Sequence, residues 1–393
     1  MNMKSTKFIA PLITIIITVA FFSSCFQQGE KNGNGNDSTA IAQNDSAALP
    51  KLKGDDNINR ATRFYAGISK DGITMSEKDA QDWDKYSNEI KRLLGISNKT
   101  RSMVDSLARS DFKDFRDKVD MVFYPFSGAD FPYPITIFPN ADTYILCGLE
   151  KPGSPISTDI KTNYAHYWSY RKALYSFFLI SYFITKDMRH DLNNDELDGV
   201  CPVITMLMAT AGYDIISIEN KSINENGELI NGDGNGNVMQ YKFFKQGSNH
   251  EQTLIYVSAN VANDKFDENV KKFFNKALAN HTVATYLKAA SYLLHWKGFD
   301  NMRDIVLNNS QYIVGDDSGM PYKYLIDNFD VTLYGVYKRP LNVFSSATIQ
   351  HDLDRAYHKQ ADNVKPLPFR IGYNNPSNWQ CSRRKSNNAN KNN

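Results

Sequence analysis

Residues 118–150, KVDMVFYPFSGADFPYPITIFPNADTYILCGLE, hold two apolar runs joined by a connection, and the arrangement of those runs decides the fold class. Lys118 to Phe126 brings Val119, Met121, Val122, Phe123 and Tyr124 close together. A short run rich in β-branched and aromatic residues predicts a strand buried on both faces. Ser127, Gly128 and Ala129 follow as a small-residue turn. Thr143 to Leu149 is a second run of the same kind. The connection between them is long enough for a crossover, so the two strands are expected to be parallel neighbours.

The rest of the chain extends this pattern in both directions. Upstream, Ser76 to Leu94 is expected to be a helix, opened by Ser76 with Asp79 three residues on in a capping-box pattern and closed at Leu93-Leu94-Gly95. Downstream, Tyr164 to Thr185 is dense in aromatics and reads as a long buried helix; its length, with Arg171 and Lys172 inside it, argues against a membrane span. Asp195 to Ala211 is expected to be helical. Asp214 to Ile218, Val238 to Phe244 and Thr253 to Val261 are expected to be strands. Asp267 to Leu278, Val283 to His295 and Asn301 to Asn308 carry helical spacing, with Val283, Leu287, Ala290 and Leu294 on one face. Tyr312 to Gly315 and Thr332 to Tyr337 complete the core as strands. Helices alternating with strands predict an α/β layered fold, with a mostly parallel or mixed sheet flanked by helices.

The chain begins with Lys4 and Lys7 ahead of an apolar run from Phe8 to Phe22, which is the layout of a signal peptide. The run contains Pro11 and ends too soon to span a bilayer. Phe22-Ser23-Ser24-Cys25 resembles the lipobox of bacterial lipoproteins, with Phe22 in place of the usual Leu. That resemblance implies removal of residues 1–24 and lipidation of Cys25, which then carries a diacylglycerol on Sγ and an acyl chain on its new α-amino group. Several buried chains make such an anchor stable. The expected location is therefore the cell envelope, with a lipid bilayer as partner through acylated Cys25, on the outer membrane rather than the inner one.

Residues 25–49, rich in Gly, Asn and Ser, bury too little surface to order themselves and read as a flexible tether. Asp37-Ser38-Thr39 and Asp45-Ser46-Ala47 resemble short bacterial O-glycosylation sites but read more simply as solvated tether residues. Residues 50–381 are expected to be the folded body, and residues 382–393 a disordered tail. The signal's two lysines account for the formal excess of 45 basic over 43 acidic side chains. A neutral mature surface argues against nucleic acid as a partner.

After Cys25, the remaining cysteines are Cys147, Cys201 and Cys381, an odd number that leaves at least one thiol free. No Cys-x-x-Cys spacing marks a zinc site. Two loops rich in Asp, Asn and Gly, Asp191 to Gly199 and Asn231 to Gly236, suggest calcium, but Pro202 and Lys242 respectively stand where an EF-hand requires Glu. No metal site is expected.

Chemistry is best sought at Phe123 to Asp130, where a strand runs into a turn, and at Glu150, the acid at the tip of the next strand. This layout resembles nucleotide-binding α/β folds, S-adenosylmethionine-dependent methyltransferases included, in which the turn approaches the ligand and the acid binds its ribose. The resemblance makes Gly128 and Glu150 candidate ligand-binding residues. Only Gly128 remains of the glycine-rich turn, and an exported protein meets little nucleotide, so no cofactor is expected. Asp316 and Asp317, directly after a strand, offer two carboxylates for acid–base work, although neighbouring residues on a strand point to opposite faces. Ser127 and Asp130, with one of His166, His281, His295 or His351, would make a hydrolase; the Gly-x-Ser-x-Gly elbow is missing. The segments Tyr124 to Asp130, Gly148 to Glu150 and Asp316 to Pro321 are also similar to segments shared by uncharacterised bacterial proteins, a resemblance that implies a site location but no activity. Two functions follow: an envelope lipoprotein that binds an unknown protein or small-molecule ligand, or an envelope hydrolase using Ser127, Asp130, Glu150 and Asp316 or Asp317.

Overall fold

The computed structural model describes residues 51–180, 197–234, 236–341, 344 and 349–386. The expected leader and lipidated cysteine, the whole tether, residues 181–185 of the expected aromatic helix, most of the Asp191 to Gly199 loop and the last seven residues lie outside them.

Strand β1 (Met121–Tyr124) pairs in parallel with β2 (Thr143–Gly148), in register from Met121 opposite Thr143 to Tyr124 opposite Leu146. The crossover between them carries the short helix α3 (Pro132–Ile137). Eight more strands are described: β3 (Tyr213–Ile223), β4 (Leu229–Asn231), β5 (Val238–Lys245), β6 (Glu251–Ser258), β7 (Val283–Leu287), β8 (Ser310–Gly315), β9 (Phe329–Gly335) and β10 (Asn378–Arg384). All ten form one mixed sheet in the order β4-β3-β5-β6-β2-β1-β7-β8-β10-β9. The middle five, β6-β2-β1-β7-β8, are parallel throughout. Antiparallel strands extend both edges.

Period-two alternation divides the core in two. Val122, Tyr124, Leu146, Ala284 and Tyr286 face one layer, while Met121, Phe123, Ile145, Cys147 and Val283 face the other. The first layer is covered by α1 (Asp56–Tyr65), α2 (Glu77–Asp111), α4 (Tyr164–Ile180) and α5 (Cys201–Thr210). The second is covered by α6 (Glu268–Leu278) and α7 (Asp300–Asn309). Two short helices, α8 (Tyr322–Leu325) and α9 (His351–Lys359), pack near β9. Among the described residues no helix is long and apolar enough to cross a membrane.

Several expected elements differ. Val283 to His295 is not a helix: its first five residues are the central strand β7, buried throughout. Val283 and Leu287 share a face at either period, and it is the apolar Ala284 and Tyr286 between them, packed on the opposite face, that mark a strand. Helix α2 opens as expected, with Ser76 Oγ accepting from the Asp79 amide at 3.1 Å, but it runs past Gly95 to Asp111. A mid-helix glycine costs only about 1 kcal/mol, and Ser97, Val104, Leu107 and Ala108 keep one face buried beyond it. Helix α5 starts at Cys201 rather than Asp195, while α1, the edge strand β4 and the inner strand β10 were not expected. Strand β10 runs three residues into the segment expected to be a tail, its Ser382 and Arg383 paired with Ile313 and Tyr312 of β8.

Candidate functional site

Taken in chain order, the five parallel strands lie third, second, first, fourth, fifth across the sheet. The chain leaves β1 toward one side and returns through β7 on the other, and the carboxyl edge at such a reversal is left open as a crevice. A cavity of about 600 Å³ occupies this place, a size suited to a small molecule. Its walls come from the turn after β1, the tip of β2, the loop after β6 and the loop after β7, with Phe344 and Tyr373 closing one side.

Of the expected site residues, Ser127, Gly128, Asp130 and Glu150 all line this cavity, and Asp316 and Asp317 do not. The turn after β1 is tight: Phe126 and Gly128 have φ of 65° and 53°, and the Ser127 amide donates to Cys147 O at 2.8 Å. Gly148, expected only as the start of the Gly148 to Glu150 segment, lets this turn meet β2. A Cβ there would lie 2.6 Å from Tyr256 Oη, 2.8 Å from Glu150 Oε2 and 3.2 Å from Gly128 Cα. The Glu150 carboxylate therefore folds back across Gly148 toward the turn, and Tyr256 Oη fixes that residue's backbone by donating to its carbonyl at 2.8 Å.

At the base of the cavity Asp130 meets a residue that sequence reasoning missed. Lys288 Nζ lies 2.6 Å from Asp130 Oδ2, with side chains 1% and 2% exposed. Tyr124 Oη donates to the same carboxylate at 2.9 Å, and the Tyr133 amide in the first turn of α3 donates to Oδ1 at 3.4 Å. Lys288 Nζ also stands 3.7 Å from the centroid of the Tyr133 ring, a cation–π contact. Burial pushes the Asp130 carboxyl up and the Lys288 ammonium down, against the opposing pull of each charge on the other. Both shifts lessen the cost of passing the proton from the lysine to the carboxylate within the pair. A lysine at the end of a fully apolar strand was the available signal; a helical assignment of Val283 to His295 hides it by placing it on a solvated face.

The loop after β7 is strained. Ala289, Ser291 and Tyr292 have φ of 51°, 53° and 58°, a region L-residues occupy at a cost and one that collects at functional sites. Asp316 and Asp317 are what hold it. Asp316 Oδ2 accepts from the Ala289 amide at 3.1 Å, and Asp317 Oδ2 from Tyr292 Oη at 2.7 Å. Ser318 Oγ accepts from the Ala290 amide at 2.8 Å. Asn378 Nδ2 donates to Asp317 Oδ1 at 2.6 Å, and Tyr373 Oη to Ala289 O at 2.7 Å. The expected acid pair is therefore a clamp under the cavity wall, its oxygens taken up by backbone and side-chain donors.

Burial first, and the Asp317 charge next, raise the Asp316 carboxyl to about 7. A carboxyl whose folded pKa exceeds its unfolded value of about 4 favours the protonated native state. The stability it contributes is complete below about pH 4, falls as pH rises and is gone above about pH 7. Asp316→Asn is neutral at every pH. Urea denaturation between those limits should show the variant gaining on the parent as pH rises, by on the order of a few kcal/mol in all; parallel stability curves would refute this origin of the pH dependence.

No histidine lines the cavity among the described residues. His295 is half-buried, and desolvation lowers it to about 4, leaving it neutral. Ser127 Oγ bonds to the carbonyls of Gly128 and Cys147 at 3.0 and 3.2 Å. The serine–histidine pair of the expected hydrolase is thus not assembled. Cys147, Cys201 and Cys381 are free, buried thiols, each pushed up to about 12 by burial, and so are poor nucleophiles. Among the described residues no three His, Cys, Asp or Glu side chains are grouped to hold a metal ion. No protein-family model, no curated protein and no solved structure matches the chain.

Proposed function

We propose that the chain is an envelope lipoprotein, held on a membrane by lipid on Cys25, whose body binds a small diol-bearing molecule of nucleoside or sugar size in the cavity at the sheet's carboxyl edge. The observation that carries the ligand half of this reading is the Glu150 carboxylate, folded across Gly148 against the Ser127–Gly128 turn at the cavity wall. A carboxylate at the tip of the second parallel strand accepts two hydroxyl protons of a vicinal diol. The strand order, with this acid two residues beyond β2, is in keeping with the resemblance to Rossmann and methyltransferase folds and supports placing the sugar ring there. Phe126, Leu149, Val261 and Phe299 supply an apolar wall for the remainder of the ligand.

The test combines mass spectrometry of small molecules released from the purified chain with calorimetric titration of adenosine as a diol-bearing probe. Glu150→Ala should weaken binding by about tenfold or more, the usual cost of losing a charged hydrogen-bond acceptor, and deplete the released species. A parent chain that releases nothing beyond a mock purification, and that also fails to bind adenosine, overturns the reading.

One observation favours chemistry at the same place. Lys288, with its ammonium pushed down by burial and Asp130 beside it, is the kind of amine that takes a proton from a ligand hydroxyl. Consumption of the bound molecule by the parent, and its absence in Lys288→Met, would select an enzyme over a binding protein.

A further inference from the structure

A second concavity, of about 820 Å³, lies at the opposite edge of the sheet, where β2 and β6 begin. One side is α2 and the residues just after it, which contribute Arg101, Arg109, Lys113 and Arg116; the other side contributes Lys245 and His250. Against these five permanent cations the walls set two carboxylates, Asp105 and Asp117. Asp105 is shared by two arginines: Arg109 Nε lies 2.7 Å from Oδ2 and Arg116 NH2 2.5 Å from Oδ1. Asp117 Oδ1 accepts from Asn140 Nδ2 at 2.8 Å, and His250 Nε2 is paired with Asp142 Oδ1 at 2.7 Å. In a chain whose charges otherwise balance, this groove is locally basic.

Arg101 is the residue this charge centres on. Its side chain is half-buried between α2 and α3, and burial is the main cause that lowers its pKa. Its partners are neutral: Nε donates to Thr136 Oγ1 at 3.3 Å and one terminal nitrogen to Asn98 Oδ1 at 3.2 Å. Among the described residues no carboxylate forms an ion pair with it, and three of the five N–H groups of a guanidinium are left over. The charges of Asp130 and Asp105 act on it without direct contact, and a partly desolvated cation with no direct ion pair is costly unless an anion completes it. The planar fork suits a bidentate oxyanion. Lys113, Lys245 and the outer N–H groups of Arg109 stand around the same space for a second charged group, and Tyr213, with its hydroxyl kept protonated, offers a further donor.

We propose that this groove is a binding site for a small organic anion carrying two or more oxyanion groups, one of them seated on Arg101. A concave pocket suits a soluble ligand rather than the flat face of a bilayer. The site does not depend on the proposed diol cavity, from which it is separated by the length of the parallel strands.

Inorganic pyrophosphate is a suitable probe, titrated calorimetrically into the purified full chain. Saturable binding is expected. Arg101→Gln should weaken it about tenfold or more, as loss of a charged bidentate contact does. Arg101→Lys, which keeps the charge and loses the fork, should fall between, and Lys99→Gln, exposed on α2 and outside the groove lining, should change it about twofold or less. Glu150→Ala should leave it unaltered, so failure here and failure of the diol cavity are separable. Thermal unfolding of each variant checks that the fold persists. Absence of saturable binding overturns the proposal. So do equal losses in Arg101→Gln and Lys99→Gln, and so does Arg101-dependent binding to phosphatidylglycerol vesicles by a chain that ignores pyrophosphate.

Discussion

Asp130→Ala should destabilise the folded body by about 3–5 kcal/mol, the cost of stranding one partner of a buried ion pair. Its carboxylate is the acceptor for Lys288 Nζ, Tyr124 Oη and the Tyr133 amide together, all in a place water scarcely reaches. Removing it leaves an ammonium buried beside aromatic rings, and two further donors lose an acceptor. The lysine limits the loss by giving up its proton, which its lowered pKa already favours. The double variant Asp130→Ala/Lys288→Met should therefore recover much of the stability, because a buried pair replaced by apolar groups of similar volume is often neutral. Urea denaturation of the parent, both single variants and the double variant closes the cycle. A double variant no more stable than Asp130→Ala alone would show that the two side chains do not act as a pair.

That pair also shows how far the sequence could be read. β1 and β2 are legible because both their faces are buried, which makes each an unbroken apolar run with few alternatives. From those two strands the parallel core and the place of the cavity follow, and with them Ser127, Gly128, Asp130 and Glu150. Lys288 was hidden by an ambiguity of period: residues four apart share a face in a helix and in a strand alike, so Val283 and Leu287 do not distinguish the two. Asp316 and Asp317 lie beneath the cavity wall and not in the cavity lining, for a different reason. Sequence places them at the correct edge of the sheet, but the side on which a carboxylate finds its donors depends on Tyr292, Asn378 and the Ala289 amide. Two of these come from other parts of the chain and one from a backbone turned into the left-handed region. Helix α2 beyond Gly95 and strand β10 owe their existence to packing partners far away in sequence, which outweigh local preference.

Cys25→Ala is expected to have an all-or-none effect. In cells fed labelled palmitate, the parent chain should carry label and begin at residue 25, and the variant should carry none and keep its leader. The reasoning is chemical. Only a thiol at that position accepts diacylglycerol, and in the lipobox reading the cut follows the lipid, so alanine removes modification and processing together. The consequence for attachment is large because each buried CH₂ contributes about 0.8 kcal/mol, and a single acyl chain gives only marginal, reversible binding where two or three give a stable anchor. The run from Phe8 to Phe22 is shorter than the roughly 20 apolar residues that cross a bilayer, so a retained leader should hold the variant far less firmly, and alkaline carbonate should extract more of it than of the parent. A variant still cut before residue 25 and still resistant to extraction would refute the anchor. It would also reopen the question of compartment, which bears on the cavity directly. A body facing the cytoplasm would meet nucleotides and S-adenosylmethionine in abundance, and Glu150 would then compete for those diols rather than for the sugars of the envelope.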